Sequence, residues 1–282
     1  MIGIICVIVL DTLLLFFLFK RNKDYPFGKE DYAVLIVVAL LALQISGDFN
    51  NLFEVILDKI FINKYHYIDG VAYWDSKSYQ IIYNLILFFF VSIIEETTKH
   101  IILFTQLRRK NVRTYLDCII SFLFVSALFS VIEDISYYRM YGSATAQVRF
   151  ITEISGHLMF SMFVGECYYN YLVNKKMVIL HSYLQSTGAV GKSVVIKPRF
   201  ISIFLAGFSL AVVFHWLYNF LVNTYPIMGW ICIAIYGVVF CLRYKNALKN
   251  KFISTRVVEK YAKLQFDVSK EEIYKLVLNE TN

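Results

Sequence analysis

The sequence predicts an all-α fold, a polytopic transmembrane helical bundle of about seven spans, and three observations predict it. Of the 282 residues, 58% are hydrophobic and only 17% are charged, well below the about 25% usual for soluble domains. Apolar runs of the roughly 20 residues needed to cross a ~30 Å hydrocarbon core recur along the chain. Most charges lie between those runs, and the basic ones cluster at every second loop.

The runs fall at about 2–19, 31–47, 80–107, 115–138, 148–173, 200–223 and 226–242. The first has no basic residue before it and no small-residue cleavage site after it, so it reads as a retained span rather than a cleaved signal peptide. Basic residues follow at Lys20, Arg21, Lys23 and Lys29, then at Arg108, Arg109, Lys110 and Arg113, then from Lys175 to Arg199, and again from Arg243 onward. The positive-inside rule puts all four groups in the cytosol, with the N-terminus outside and the C-terminus cytosolic. Of the remaining loops, the longest, 48–79, mixes acids, lysines and aromatics such as Tyr65, Tyr67, Tyr73 and Trp74 and is expected along the interface. The tail after Arg243 is net basic, and its apolar Val257, Val258, Tyr261, Leu264 and Phe266 suggest short helices on the membrane surface.

The formal net charge of +7 sits where loops meet spans, so topology accounts for it. The partner this implies is the lipid bilayer, with no nucleic acid. The five cysteines (Cys6, Cys118, Cys167, Cys232 and Cys241) lie in or at the ends of apolar runs without a CxxC pair. Neither a disulfide framework nor a thiolate metal site is suggested.

Ionisable residues inside the runs carry the functional signal, because each costs roughly 2.5–3.5 kcal/mol at a helix centre. In Glu95-Glu96-Thr97-Thr98-Lys99-His100, Lys99 stands i+4 from Glu95 and i+3 from Glu96, on one helical face between the two carboxylates. His100 lies one turn beyond Glu96. Glu133-Asp134 follows near the outer end of its span, one turn before Tyr137. Arg149, Glu153 and His157 share a face at i, i+4 and i+8, and His215 stands i+4 from Asn219. The bland readings are a structural ion pair, a solvated helix end and satisfied core histidines. Together, however, the groups form a hydrolytic set: a carboxylate to activate water, imidazoles to share protons or bind a metal, and an amide to steady an oxyanion. The absence of GxSxG and HExxH leaves serine-type and zincin-type mechanisms without support.

These four motifs, in this order over residues 80–223, resemble the PrsW family of intramembrane proteases, within the CAAX-prenyl-endopeptidase and bacteriocin-processing (CPBP, or Abi) superfamily. The resemblance implies an intramembrane endopeptidase that cuts a membrane-anchored protein or peptide in a bacterial plasma membrane. The family's best-known role is the first, extracytoplasmic cut in an anti-sigma factor. It implies that Glu95 or Glu96 activates water with help from His157, that His215 and Asn219 support the oxyanion, and that Glu133 is a further site residue. Lys99, Arg149 and Tyr137 support them. No obligatory metal is expected; Zn²⁺ held by Glu96, Glu133, His157 and His215 is the metallo-type alternative. The chain then divides into N-terminal spans and loop (1–79), catalytic membrane core (80–223), and last span with basic tail (224–282).

One segment departs from the pattern GFAxxENxxY: Leu128 stands for the glycine and Asp134 for the asparagine, implying altered helix packing and an added charge. Two other readings are a non-catalytic, peptide-binding immunity protein and a proton-coupled transporter. The second is disfavoured by the absence of an internal repeat and by spans poor in glycine and proline. With ~1.5 Å of rise per residue, Glu95 is expected near mid-membrane, and Glu133 and His157 nearer the outside.

Overall fold

The apolar run that starts at residue 31 does not end where the sequence suggests. In the computed structural model, which describes residues 29–68, 71–107, 112–190, 196–249 and 252–262, helix α1 runs over Lys29–Phe61. Gly47 and Asp48 look like a stop, but a mid-helix glycine costs only about 1 kcal/mol. Gln44 Nε2 also bonds both Asp48 carboxylate oxygens at 3.1 Å, one turn apart. The loop expected at 48–79 is therefore half helix. The rest is a hairpin of β1 (Tyr65–Ile68) and β2 (Val71–Trp74), antiparallel with Tyr65 opposite Trp74. Phe61 meets the Tyr83 ring edge-on at 5.5 Å, and Trp74 lies 4.9 Å from Tyr83, which ties the hairpin to the helix ends. The hairpin is the one sheet among the described residues of an otherwise helical bundle.

Helices α2 (Lys77–Leu107), α3 (Tyr115–Tyr141), α5 (Phe200–Thr224) and α6 (Pro226–Ala247) follow the expected runs closely. Helix α3 starts at a capping box: Thr114 Oγ1 accepts from Asp117 N at 3.1 Å, and Asp117 Oδ2 accepts from Thr114 N at 2.9 Å. It ends at Gly142, whose φ of 85° is open to glycine and strained for other residues. That single residue turns the chain into α4 (Ser143–Ser186), a 44-residue helix much longer than the run at 148–173. The amphipathic α7 (Ile253–Ala262) closes the described chain.

Helices α1, α2, α3, α5 and α6 are long and apolar enough to cross a membrane. The expected run at 2–19 lies outside the described residues. Helix α4 is more polar, carrying Arg149, Glu153, His157 and Glu166, and it lies inside the bundle against α3, α5, α6 and α7. Its hairpin partner α3 has 83% of its apolar span buried, against 22–28% for the other four. Those four carry apolar stripes to the outside. On α6 the stripe is Ile227, Ile231, Ile235, Val238 and Leu242, all exposed. Such a stripe suits lipid, since soluble surfaces rarely expose contiguous apolar patches of this extent.

Helices α4 and α5 touch at Gly207. A Cβ there would stand 2.6 Å from Cys167 Cβ and Sγ and 3.0 Å from the Phe163 carbonyl, so any side chain pushes the helices apart. Gly207→Val is expected to lower stability by about 2 kcal/mol. Gly237→Ala, where an added Cβ meets nothing within 4 Å, is expected to be no less stable than wild type. Thermal unfolding in detergent reads both.

Candidate active site

Glu95 and Glu96 are neighbours on α2 and project about 100° apart, into different surroundings. Glu96 is fully buried. Its Oε1 accepts from Lys99 Nζ and lies 2.8 Å from His215 Nδ1 of α5, while Oε2 lies 2.8 Å from His100 Nε2. Both oxygens are thus committed to protein partners. Glu95 faces a large cavity instead. Its Oε1 accepts from Asn50 Nδ2 of α1 at 3.3 Å. Its Oε2 is buried without a hydrogen bond among the described residues, 3.7 Å from His215 Nε2.

The network assigns the protons on the histidines. An ammonium can only donate, so Lys99 Nζ, 3.0 Å from His157 Nδ1, leaves His157 with its hydrogen on Nε2. That N–H points at Glu133 Oε2 (3.3 Å) and Glu153 Oε2 (3.6 Å). His215 has the opposite tautomer: Nδ1–H donates to Glu96, and the Nε2 lone pair faces Glu95. The backbone of His157 and the ring of His215 are held by neighbours. Ser126 Oγ of α3 donates to the His157 carbonyl at 2.9 Å, and Phe160 stacks on His215 at 4.9 Å.

Arg149 joins α3 to α4. Its guanidinium pairs with Glu133 (2.9 Å), Glu153 (2.9 Å) and Asp134 (3.4 Å), and it lies over the Tyr137 ring at 3.5 Å. Asp134, the departure from the family pattern, is buried and its added charge meets this arginine. Leu128, the other departure, packs partly buried against the core.

The structure therefore brings Glu95, Glu96, Lys99, Glu133, His157 and His215 into one network drawn from α2, α3, α4 and α5, with Arg149 and Tyr137 at its edge. Asn219 lies on the same cavity wall, one turn from His215. The expected depth offset between Glu95 and the Glu133–His157 pair is bridged by side-chain reach, since Lys99 of α2 touches His157 directly. Three neighbours carry more than the sequence suggested. Glu153, expected to pair with Arg149, also faces His157. His100 is a direct partner of Glu96. Asn50 lies in what reads as a loop; the polar spacing of Gln44, Asp48 and Asn51 at i, i+4 and i+7 is the sequence signal that α1 continues there.

The cavity has a volume of about 1050 Å³ and is walled by α1 to α5, room for a stretch of peptide. Two trios of donors, Glu95/His157/His215 and Glu133/Glu153/His157, each lie within 4.8 Å of one another. One carboxylate with two imidazoles is a donor set used for catalytic zinc. Glu95, Glu96, Glu133, Asp134 and Glu153 outnumber Lys99 and Arg149, and such an excess of negative charge is costly unless protons or a cation meet it. The first trio has the composition of such a site, and His157 would join it by exchanging its Nδ1 bond to Lys99 for the metal. Glu96, of the metal set expected from the sequence, belongs to neither trio; its oxygens are taken by Lys99, His215 and His100.

Removing one partner of a buried ion pair costs about 3–5 kcal/mol. Lys99→Met is expected to lose that much stability, and Lys99→Met with Glu96→Gln less than Lys99→Met alone. Unfolding in detergent completes the double-mutant cycle.

Comparison with curated proteins and with solved structures returns no match. Among protein families, the sequence model described as PrsW family intramembrane metalloprotease matches residues 32–244, from α1 to near the end of α6. The match takes in the whole polar network and every helix that walls the cavity. The chain is a multi-pass membrane protein and a protease, and it belongs to the PrsW family of intramembrane metalloproteases.

Proposed function

We propose that this protease cuts a membrane-anchored protein or peptide with Glu95 as the group that activates water. The observation that carries the reading is that Glu95 lines the cavity with its Oε2 left without a hydrogen bond among the described residues, while both oxygens of Glu96 are committed elsewhere. Glu95 takes a proton from a water molecule, and the water oxygen bonds to the scissile carbonyl carbon. The carbonyl oxygen becomes an oxyanion, for which the Asn219 amide is one donor and His215, when its Nε2 takes up the proton from Glu95, the other. The proton passes to the leaving nitrogen as the C–N bond breaks, and Glu95 is ionised again. Glu96 holds His215, Asn50 holds Glu95, and Lys99 holds His157 in the tautomer that points at Glu133. A Zn²⁺ held by Glu95, His215 and, on exchanging its bond to Lys99, His157 would polarise the carbonyl and acidify the water. Either use of Glu95 needs its Oε2 free of protein partners.

The proposed setting is a bacterial plasma membrane, with seven spans, the N-terminus outside and the basic loops in the cytosol. Met140 at the end of α3 lines the cavity, and that end is remote from the basic loop at Arg113. This supports cleavage on or near the extracytoplasmic side, as in a first cut of an anti-sigma factor.

The test compares membrane proteomes of one host expressing wild type or Glu95→Gln. New termini beside single-span anchors are expected with wild type alone; identical proteomes, with both proteins folded and abundant, would overturn the reading. On a substrate found this way, Asn50→Ala is expected to lower kcat about 10- to 100-fold, the scale of a lost partner around a catalytic group, with KM little changed.

A further inference from the structure

A second, smaller cavity lies at the other end of the bundle, about 170 Å³ in volume. Tyr115 lines it and Tyr137 lines the catalytic cavity. Both are on α3, roughly 33 Å apart at 1.5 Å per residue, about one hydrocarbon thickness. The small cavity is therefore at headgroup depth on the opposite face. The chain at that end is basic, with Arg113, Lys175, Lys176, Arg199, Lys245 and Lys249.

Its walls are tied together at one carboxylate. Tyr115 Oη of α3 donates to Glu166 Oε1 of α4, and Arg243 Nη1 of α6 pairs with Glu166 Oε2 at 2.8 Å. Helix α7 supplies the last wall. It is held by a bridge between Phe252 and Thr114, by Ile253 N donating to the Arg113 carbonyl at 2.9 Å, and by Tyr261 Oη at 2.8 Å from His181 Nδ1. Buried Ile253, Val257 and Tyr261 fix the face of α7 that packs inward, and Arg256 lines the cavity. The Arg256 contact with Glu259 (2.9 Å) is an exposed pair, worth little and easily exchanged. Tyr169 also lines the cavity, 6% exposed, and its hydroxyl has no hydrogen-bond partner among the described residues. A buried hydroxyl left so costs about 1–3 kcal/mol, which an acceptor entering the cavity would recover.

Two guanidinium groups and an unmatched phenol, with the amides of Asn170 and Asn246 beside them, form a donor-rich wall. Arginine's planar fork matches phosphate oxygens, and basic residues at the membrane surface attract anionic lipid. We propose that this cavity binds a phosphate group, carried either by an anionic phospholipid or by free phosphate.

Thermal unfolding of the full chain in neutral detergent tests this, titrated with phosphatidylglycerol, with phosphatidylcholine and with inorganic phosphate. Phosphatidylglycerol is expected to raise the midpoint at concentrations at least about tenfold below phosphatidylcholine. A response to inorganic phosphate that competes with the lipid identifies free phosphate as a ligand; a response to the lipid alone identifies the headgroup. Tyr169→Phe and Arg256→Gln are each expected to weaken the response about tenfold, the size of one hydrogen bond to a charged group. Arg256→Gln should leave the ligand-free midpoint unchanged, because its pair with Glu259 is exposed, and Tyr169→Phe should raise it, because the unmatched hydroxyl is gone. Equal responses to the two lipids with none to phosphate, or titrations unchanged in both variants, would overturn the proposal. The readout is binding, so it stands or falls apart from the catalytic reading.

Discussion

The buried ammonium of Lys99 is the constraint on which the rest of the site depends. A cation with no exposed surface inside an apolar bundle is tolerable only when its partners are close and numerous. Lys99 meets Glu96 along its own helix, His157 on α4, and the face of Phe129 on α3, 4.6 Å away. Three helices are thus held by one group. Glu96 passes the constraint on to α5 through His215. Because Glu96 is used up in this way, Glu95 beside it is not, and two identical neighbours acquire different chemistry.

The same charges explain the layout of the bundle. Helix α4 carries the arginine, carboxylate and histidine of the site, and these lower its hydropathy below that of the five apolar helices. A helix of that character cannot face lipid, where each polar group would be unmatched. It sits inside, paired with α3 through the tight turn at Gly142, and the more apolar helices surround the pair. The polarity that makes the helix a poor span makes it a good wall for a hydrolytic cavity.

Helix α1 adds a layer that belongs to none of the four motifs. Its polar face brings Asn50 onto Glu95 and continues along the cavity wall with Gln44, Asp48 and Asn51. A peptide entering a membrane cavity must have its backbone groups met by protein, and side-chain amides offer both donors and acceptors. The altered motif around Glu133 fits the same economy of charge, since Asp134 adds a carboxylate where Arg149 already gathers two.

The sequence by itself determined that the chain is a helical membrane protein, where α2, α3, α5 and α6 lie, and which ionisable residues inside the spans stand out. Long apolar runs and costly charges within them are local properties that survive without knowledge of neighbours. Only the tertiary structure decided that α1 continues to Phe61, because Gly47-Asp48 reads as a stop until Gln44 and an apolar face carry the helix through. Only it brought in Asn50, 45 positions from Glu95, and widened the part of Glu153 from an ion pair with Arg149 to a contact with His157. It alone told Glu95 from Glu96, because adjacent identical side chains differ only in the partners that other helices bring to them.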